Sequence, residues 1–385
     1  MKLTQIKFYS LSLISALITI VACNKIPESK TNFSETPNLP TTPYDYLQIE
    51  ESGIKKDLSS IINDQSTQTF NITNHTIALG RVLFYDRALS INNSVSCGTC
   101  HKQSLAFADN SEFSIGFANK LTTRNSMAIL NSANNNNMFW DSRATSPFEM
   151  SLMPVFNHIE MGMESDEMLV NKLKNKTYYT ELFNKAYNSS EITKEKISTA
   201  ITHFVSSIFS KQSKFDKGQL NDFKDFSSVE LLGKDLFFSS DLKCSECHSG
   251  NNFSAPDFPG GAYGFSSFGP GNDFGPRGTA NIGLDMVYQD NGRGNGLFKI
   301  PSLRNIALTG PYMHDGRFKT LDEVLDHYSH GIKKHPNLDH KFLKNNKVKS
   351  LNLSESDKYA LKMFLNTLTD FQLISDKKFS NPFLN

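Results

Sequence analysis

Apolar residues recur at helical spacing along much of the chain. Ile197, Ile201, Phe204, Val205 and Ile208 fall on one stripe of a helix. Ser227-Ser228-Val229-Glu230 has the form of a capping box, with the Ser and Glu side chains satisfying each other's backbone N–H groups. It opens a helix holding Leu232, Leu236 and Phe237. Ser354 is placed to cap a last helix whose buried face includes Leu361, Phe364, Leu365 and Leu368. Segments that alternate apolar and polar residues are few, so the expected fold class is all-α. Asn251 to Leu297 breaks the pattern: it is dense in Gly, Asn, Asp and Phe with little periodicity. A structureless stretch of that length is either functional or mobile.

The apolar run at the start has another character. Lys2 and Lys7 precede uninterrupted apolar and small residues from Phe8 to Ala22, the form of a secretory signal, too short for a stable membrane span. Ile20-Val21-Ala22-Cys23 resembles the lipobox of bacterial lipoproteins, in which cleavage leaves the Cys as a diacylated N-terminus. The expectation is a signal peptide over 1–22, a lipid anchor at Cys23 facing the periplasm, and a flexible tether over 23–45, rich in Asn, Thr, Ser and Pro.

Charge excludes one class of partner. With 40 Lys and Arg against 39 Asp and Glu the net charge is +1, leaving no basic footprint for nucleic acid. Cysteine usage then points to the chemistry. Of the 5 cysteines, all but Cys23 lie in two copies of one pentapeptide, Cys97-Gly98-Thr99-Cys100-His101 and Cys244-Ser245-Glu246-Cys247-His248. Two cysteines separated by two residues on a helical turn span the two vinyl groups of a haem, and the following His lies under the iron. Chance would give roughly 0.002 copies of this pattern in such a chain. A shared zinc site would need its two halves closer in sequence, and a thioredoxin-like motif would need alternating strands and helices. Two covalently attached haem c groups are therefore expected, bound by Cys97, Cys100 and His101 and by Cys244, Cys247 and His248.

The pentapeptides belong to a longer repeat. Leu79-Gly80-Arg81-Val82-Leu83-Phe84-Tyr85 precedes the first and Leu232-Gly233-Lys234-Asp235-Leu236-Phe237-Phe238 the second. Downstream, Arg124-Asn125 leads to Phe139-Trp140-Asp141-Ser142-Arg143, while Arg304-Asn305 leads to Met313-His314-Asp315-Gly316-Arg317. Two copies of one haem domain account for both echoes, with a boundary near the polar Lys211 to Asp225 stretch. The expected domains are 46–220 and 221–385.

With these residues in place, the chain resembles the bacterial di-haem cytochrome c peroxidase and MauG superfamily over roughly residues 75 to 370. Phe139-Trp140-Asp141-Ser142-Arg143, Glu160-Met161 and Pro301-Ser302-Leu303-Arg304-Asn305 through Pro311-Tyr312-Met313-His314-Asp315-Gly316 carry the resemblance. It implies two cytochrome-c-like domains whose haems face a shared interface, the N-terminal one peroxidatic and the C-terminal one transferring electrons. It also implies that Trp140 lies between the haems, that Glu160 is the distal acid, and that Asn125, Thr309 and Pro311 hold a calcium ion, the last two through backbone carbonyls.

Three positions depart from the family pattern. Members with a distal His on the N-terminal haem place it near Phe117, and no His occurs between His101 and His158, so that haem should have an open face. The axial Met expected about 14 residues after His314 is replaced by Tyr328, as in MauG, which would lower the reduction potential. His327, His330 and Met313 are the other candidates for that ligand. Met150 stands where the family often has Gln.

The implied activity is reduction of hydrogen peroxide at the His101 haem, with electrons from a small periplasmic protein such as a cytochrome c or a cupredoxin. A MauG-like oxidation of side chains on a partner protein is the alternative within the enzyme class. A non-enzymatic electron-transfer cytochrome is the alternative outside it.

Overall fold

The computed structural model describes residues 33–51, 54–60, 71–133, 135, 137–254 and 278–384. The expected signal peptide, Cys23 and the start of the tether lie outside them, as does most of the first half of the aperiodic stretch from Asn251.

Twelve α-helices lie among the described residues: α1 (Asn74–Tyr85), α2 (Cys97–Cys100), α3 (Pro147–Met150), α4 (Met153–Phe156), α5 (Asp166–Lys174), α6 (Thr177–Tyr187), α7 (Lys194–Ser207), α8 (Lys214–Gln219), α9 (Ser228–Phe237), α10 (Cys244–Cys247), α11 (Leu321–Asp326) and α12 (Glu355–Asn366). The structure is mostly helical, with three small antiparallel ribbons added: β1 (Gln48–Glu51) with β2 (Ile54–Asp57), β3 (Thr279–Ala280) with β4 (Phe298–Lys299), and β5 (Leu343–Lys344) with β6 (Lys347–Val348). Strands this short give no periodic signal, so the sequence pattern passes over them.

Helix starts follow their capping residues. Ser227 and Glu230 form the capping box of α9, and Ser354 with Asp357 forms that of α12. The stripe on α7 is buried from Ile197 through Phe204 and Val205, while Ile208 sits just past the helix end and is buried as well.

Two hydrophobic cores result. The first is built on α1 crossing α7, the second on α9 crossing α12. The repeated Leu-Gly explains the likeness of the two crossings. A Cβ on Gly80 would lie 1.8 Å from the carbonyl oxygen of Ala200 on α7, and one on Gly233 would lie 1.9 Å from that of Ala360 on α12. Only a residue without a side chain lets each pair of backbones approach so closely.

Two features cut across the expected division at 220 and 221. Phe215 on α8 packs into the second core, against Phe253 and Phe364. The C-terminal tail returns to the first core, burying Leu373, Phe379 and Phe383 there. Arg81 Nε–H donates to the Ser380 carbonyl (2.6 Å), and the Tyr85 hydroxyl donates to the Phe379 carbonyl (2.8 Å). The span expected to be a free tether is held from Phe33 onward. Phe33 stacks on Phe383, and the N–H groups of Ser34 and Asn38 donate to the carbonyls of Phe383 and Pro382. Polar composition hid this, because the contacts are mainly backbone hydrogen bonds plus one aromatic residue. Buried ion pairing joins α8 to the Arg304 turn, where Arg304 grips both oxygens of Asp216 at 2.8 and 2.9 Å.

Candidate functional site

The two Cys-x-x-Cys turns are themselves the short helices α2 and α10, each ending at its histidine. In α2, Ser96 and Thr99 form a capping box; in α10, Lys243 takes the N-cap in the left-handed conformation. One histidine geometry recurs in both. His101 Nδ1 lies 3.0 Å from the carbonyl oxygen of Phe107, and His248 Nδ1 lies 3.1 Å from that of Phe253. A carbonyl only accepts, so this contact calls for the proton on Nδ1 in each ring, which leaves Nε2 as the unprotonated nitrogen. An outer hydrogen bond of this kind fixes the tautomer and the ring orientation of an iron-ligating histidine. Burial lowers both imidazole pKa values, that of His248 to about 4, which keeps the ligating neutral form.

None of the four motif cysteines is in a disulfide. Burial pushes Cys97 and Cys244 up to about 12 and Cys100 and Cys247 up to about 11. A Cys pair poised for disulfide exchange has its thiol pKa lowered instead. Two cysteine side chains in apolar surroundings beside a histidine are the donor set that haem attachment requires.

A single cavity of about 680 Å³ is lined by both Cys-x-x-Cys-His motifs and by Trp140, Glu160, Tyr328, Asn125, Thr309 and Pro311. The candidate residues, drawn from well-separated parts of the chain, thus meet in one space. Trp140 is buried, with its indole N–H donating to the Asn125 carbonyl (2.9 Å). Asn125 in turn uses its amide N–H groups on the carbonyls of Ser111 and Glu112, at 3.0 and 3.3 Å, and among the described residues no donor engages its Oδ1. That oxygen and the Thr309 and Pro311 carbonyls are hard donors of the kind calcium takes.

Glu160 is positioned by an Asx turn, in which Asn157 Oδ1 accepts from the N–H groups of Ile159 (2.8 Å) and Glu160 (3.3 Å). Burial raises the Glu160 pKa, and the charge of Arg143 only partly opposes this. Phe117 donates its N–H to the Glu160 carbonyl (2.9 Å), but its ring lies on Gly162 and is not part of the cavity wall. Met150 and Pro154 line the cavity.

At the other end, Tyr328 lines the cavity within electrostatic reach of Cys244 and Cys247, and burial pushes its phenol pKa up. Of the other candidate ligands, His327 has its Nε2 on the Ile282 carbonyl at 3.0 Å, and His330 is exposed. Met313 lines the cavity.

Comparison with known proteins agrees with this geometry. Residues 74–223 match the family described as di-haem cytochrome c peroxidase. The methylamine utilization protein MauG of Methylorubrum extorquens is 34% identical over 299 residues, covering 77% of this chain and 79% of that protein. The chain belongs to the di-haem cytochrome c peroxidase and MauG family. Membership carries two c-type haems with it. The family contains both kinds of name, since the cytochrome c551 peroxidase of Nitrosomonas europaea is 35% identical over 249 residues, covering 64% of this chain and 71% of that protein. Among solved structures, a MauG-like protein associated with microbial copper homeostasis superposes with a TM-score of 0.69 at 30% identity, covering 81% of this chain and 94% of that one. Sequence reasoning did not single out two polar residues of the cavity wall, Asn157 and Lys299. Each sits in an otherwise ordinary loop or strand, and neither belongs to a motif read for chemistry.

Proposed function

We propose that the protein reduces hydrogen peroxide to water at the haem on His101, drawing electrons from a small periplasmic donor protein through the haem on His248. The observation that carries this reading is the single cavity joining both haem motifs to a buried carboxyl, Glu160, with a raised pKa. Haem bound there would supply the electrons for cleaving the O–O bond. Glu160 takes the proton from the inner peroxide oxygen and returns it to the outer one, the work of a general base and then a general acid. Met150 cannot donate a hydrogen bond to this exchange, so Glu160 carries it without help from that position. Trp140, held by its bond to Asn125, stands on the electron route between the two haem units. Asn125, Thr309 and Pro311 would hold a calcium ion, which would stiffen this junction.

On this reading Tyr328 would be the second side chain to hold the C-terminal haem, and coordination to iron would have to overcome the burial that favours the neutral phenol. That ligand also favours a second reading within the family, MauG-like oxidation of side chains on a partner protein. The chain is anchored by a lipid on Cys23 and faces the periplasm; no helix among the described residues is long and apolar enough to cross a membrane. A steady-state assay with peroxide and a reduced cytochrome c or cupredoxin tests the function. Turnover by the as-isolated oxidised protein is expected. Absence of peroxide consumption with any reductant would leave only the electron-transfer reading.

A further inference from the structure

Four cationic side chains line the cavity, and three are held by carboxylates. Arg124 pairs with Asp141 and Asp290 at 2.6 Å each, Arg143 with Asp141 at 2.9 Å, and Lys243 with Glu246 at 3.1 Å. Lys299 is the fourth. Among the described residues its ammonium has no hydrogen-bond or ion-pair partner, and no carboxylate acts on it. The residue is half-buried, and its desolvation lowers the pKa to about 8. An ammonium drawn even partly out of water gains from a partner, so such charges are commonly found paired.

Its backbone is firmly placed. The Lys299 N–H donates to the Trp140 carbonyl (2.7 Å), and β4 sets Lys299 opposite Thr279 on β3. Phe298, the preceding residue, stacks on His314 with ring centroids 3.7 Å apart. Pro301, two residues on, presents its carbonyl to the ring of His248. The strand thus sets a lone cation between the tryptophan and the proximal side of the second haem motif, in a wall of mostly apolar residues.

A haem brings two propionate carboxylates into such a wall. We propose that Lys299 is the residue that receives a propionate of the haem attached at Cys244 and Cys247, fixing that haem's edge toward Trp140. The assignment rests on the di-haem reading above. Pairing neutralises the propionate charge near the iron, and removing the cation leaves that negative charge to favour Fe(III).

The test uses the mature holoprotein and its Lys299→Met and Lys299→Arg variants, with haem content measured on denatured protein and the two midpoint potentials followed separately by EPR-monitored redox titration. With two haems retained, Lys299→Met is expected to lower the midpoint of the His248 haem and leave the His101 haem where it was. Lys299→Arg, which keeps the charge, should hold both near wild type. Unchanged midpoints in Lys299→Met, or a shift confined to the His101 haem, would overturn the assignment. If the methionine variant does not mature, Lys299→Gln replaces it with the same expected shift. Wild-type protein with fewer than two covalent haems would refute the di-haem reading itself, a failure distinct from unmoved potentials.

Discussion

On the proposed function the chemistry turns on Glu160 and Tyr328, and each makes a separate prediction. General acid–base catalysis contributes typically 10²–10⁴-fold, so Glu160→Gln should lower peroxide turnover by about that factor while both haems remain attached. Glu160 must begin each cycle ionised to accept a proton. Its pKa is raised by burial, so activity should fall as pH drops through a value above the ordinary carboxylate range. The Gln variant should lose that acid limb, and an unaltered pH profile would remove Glu160 from the proton path. For Tyr328, replacement by Met should raise the potential of the His248 haem, since a thioether favours Fe(II) relative to phenolate. An unchanged spectrum and potential would move the ligand search to Met313, the other candidate on the cavity wall. The motif residues could be read directly because each is tied to a fixed spacing. Lys299 could not, because a lysine in a short strand reads as solvated until the fold sets it in the cavity wall.

Helices α9 and α12 were legible down to their caps, since Ser227, Glu230 and Ser354 act locally and leave a local signature. The role of Gly80 and Gly233 was visible only as repetition. Why each must be glycine depends on Ala200 and Ala360, distant in sequence. Replacing glycine by alanine within a helix ordinarily gains up to about 1 kcal/mol of propensity. Here the added methyl would meet a backbone carbonyl, and overpacking costs about 1–3 kcal/mol. Gly80→Ala and Gly233→Ala should therefore destabilise the protein in chemical denaturation. A stabilised Gly233→Ala variant would contradict the close crossing of α9 and α12. The ribbons β3–β4 and β5–β6 fall below the length at which alternation can be recognised, and β4 proves to be the strand that carries Lys299.

Across the molecule, the sequence repeat describes two similar units, but the chain does not divide cleanly between them. Phe379 lies near the C-terminus yet packs against Phe107 and Phe204 of the first core. Truncating a buried Phe to Ala costs about 3–5 kcal/mol, so Phe379→Ala should weaken the unit that carries His101. Denaturation followed at the His101 haem should register that loss, whereas an unaffected transition there would mean that the tail only lies on the surface. The repeat could not disclose this return, because the tail has no counterpart in the first copy.

The proposed function requires a di-haem peroxidase site that is open at His101. Among the described residues the cavity wall beside Glu160 offers Met150, Pro154 and Asn157 but no second histidine, and Phe117 turns its ring toward Gly162. EPR of the oxidised holoprotein, before any reduction, tests that requirement most directly. The prediction is a high-spin ferric signal from the His101 haem alongside a separate low-spin signal from the His248 haem, with the high-spin signal altered by an added small anionic ligand. Two low-spin signals, neither responsive to such a ligand, would contradict it.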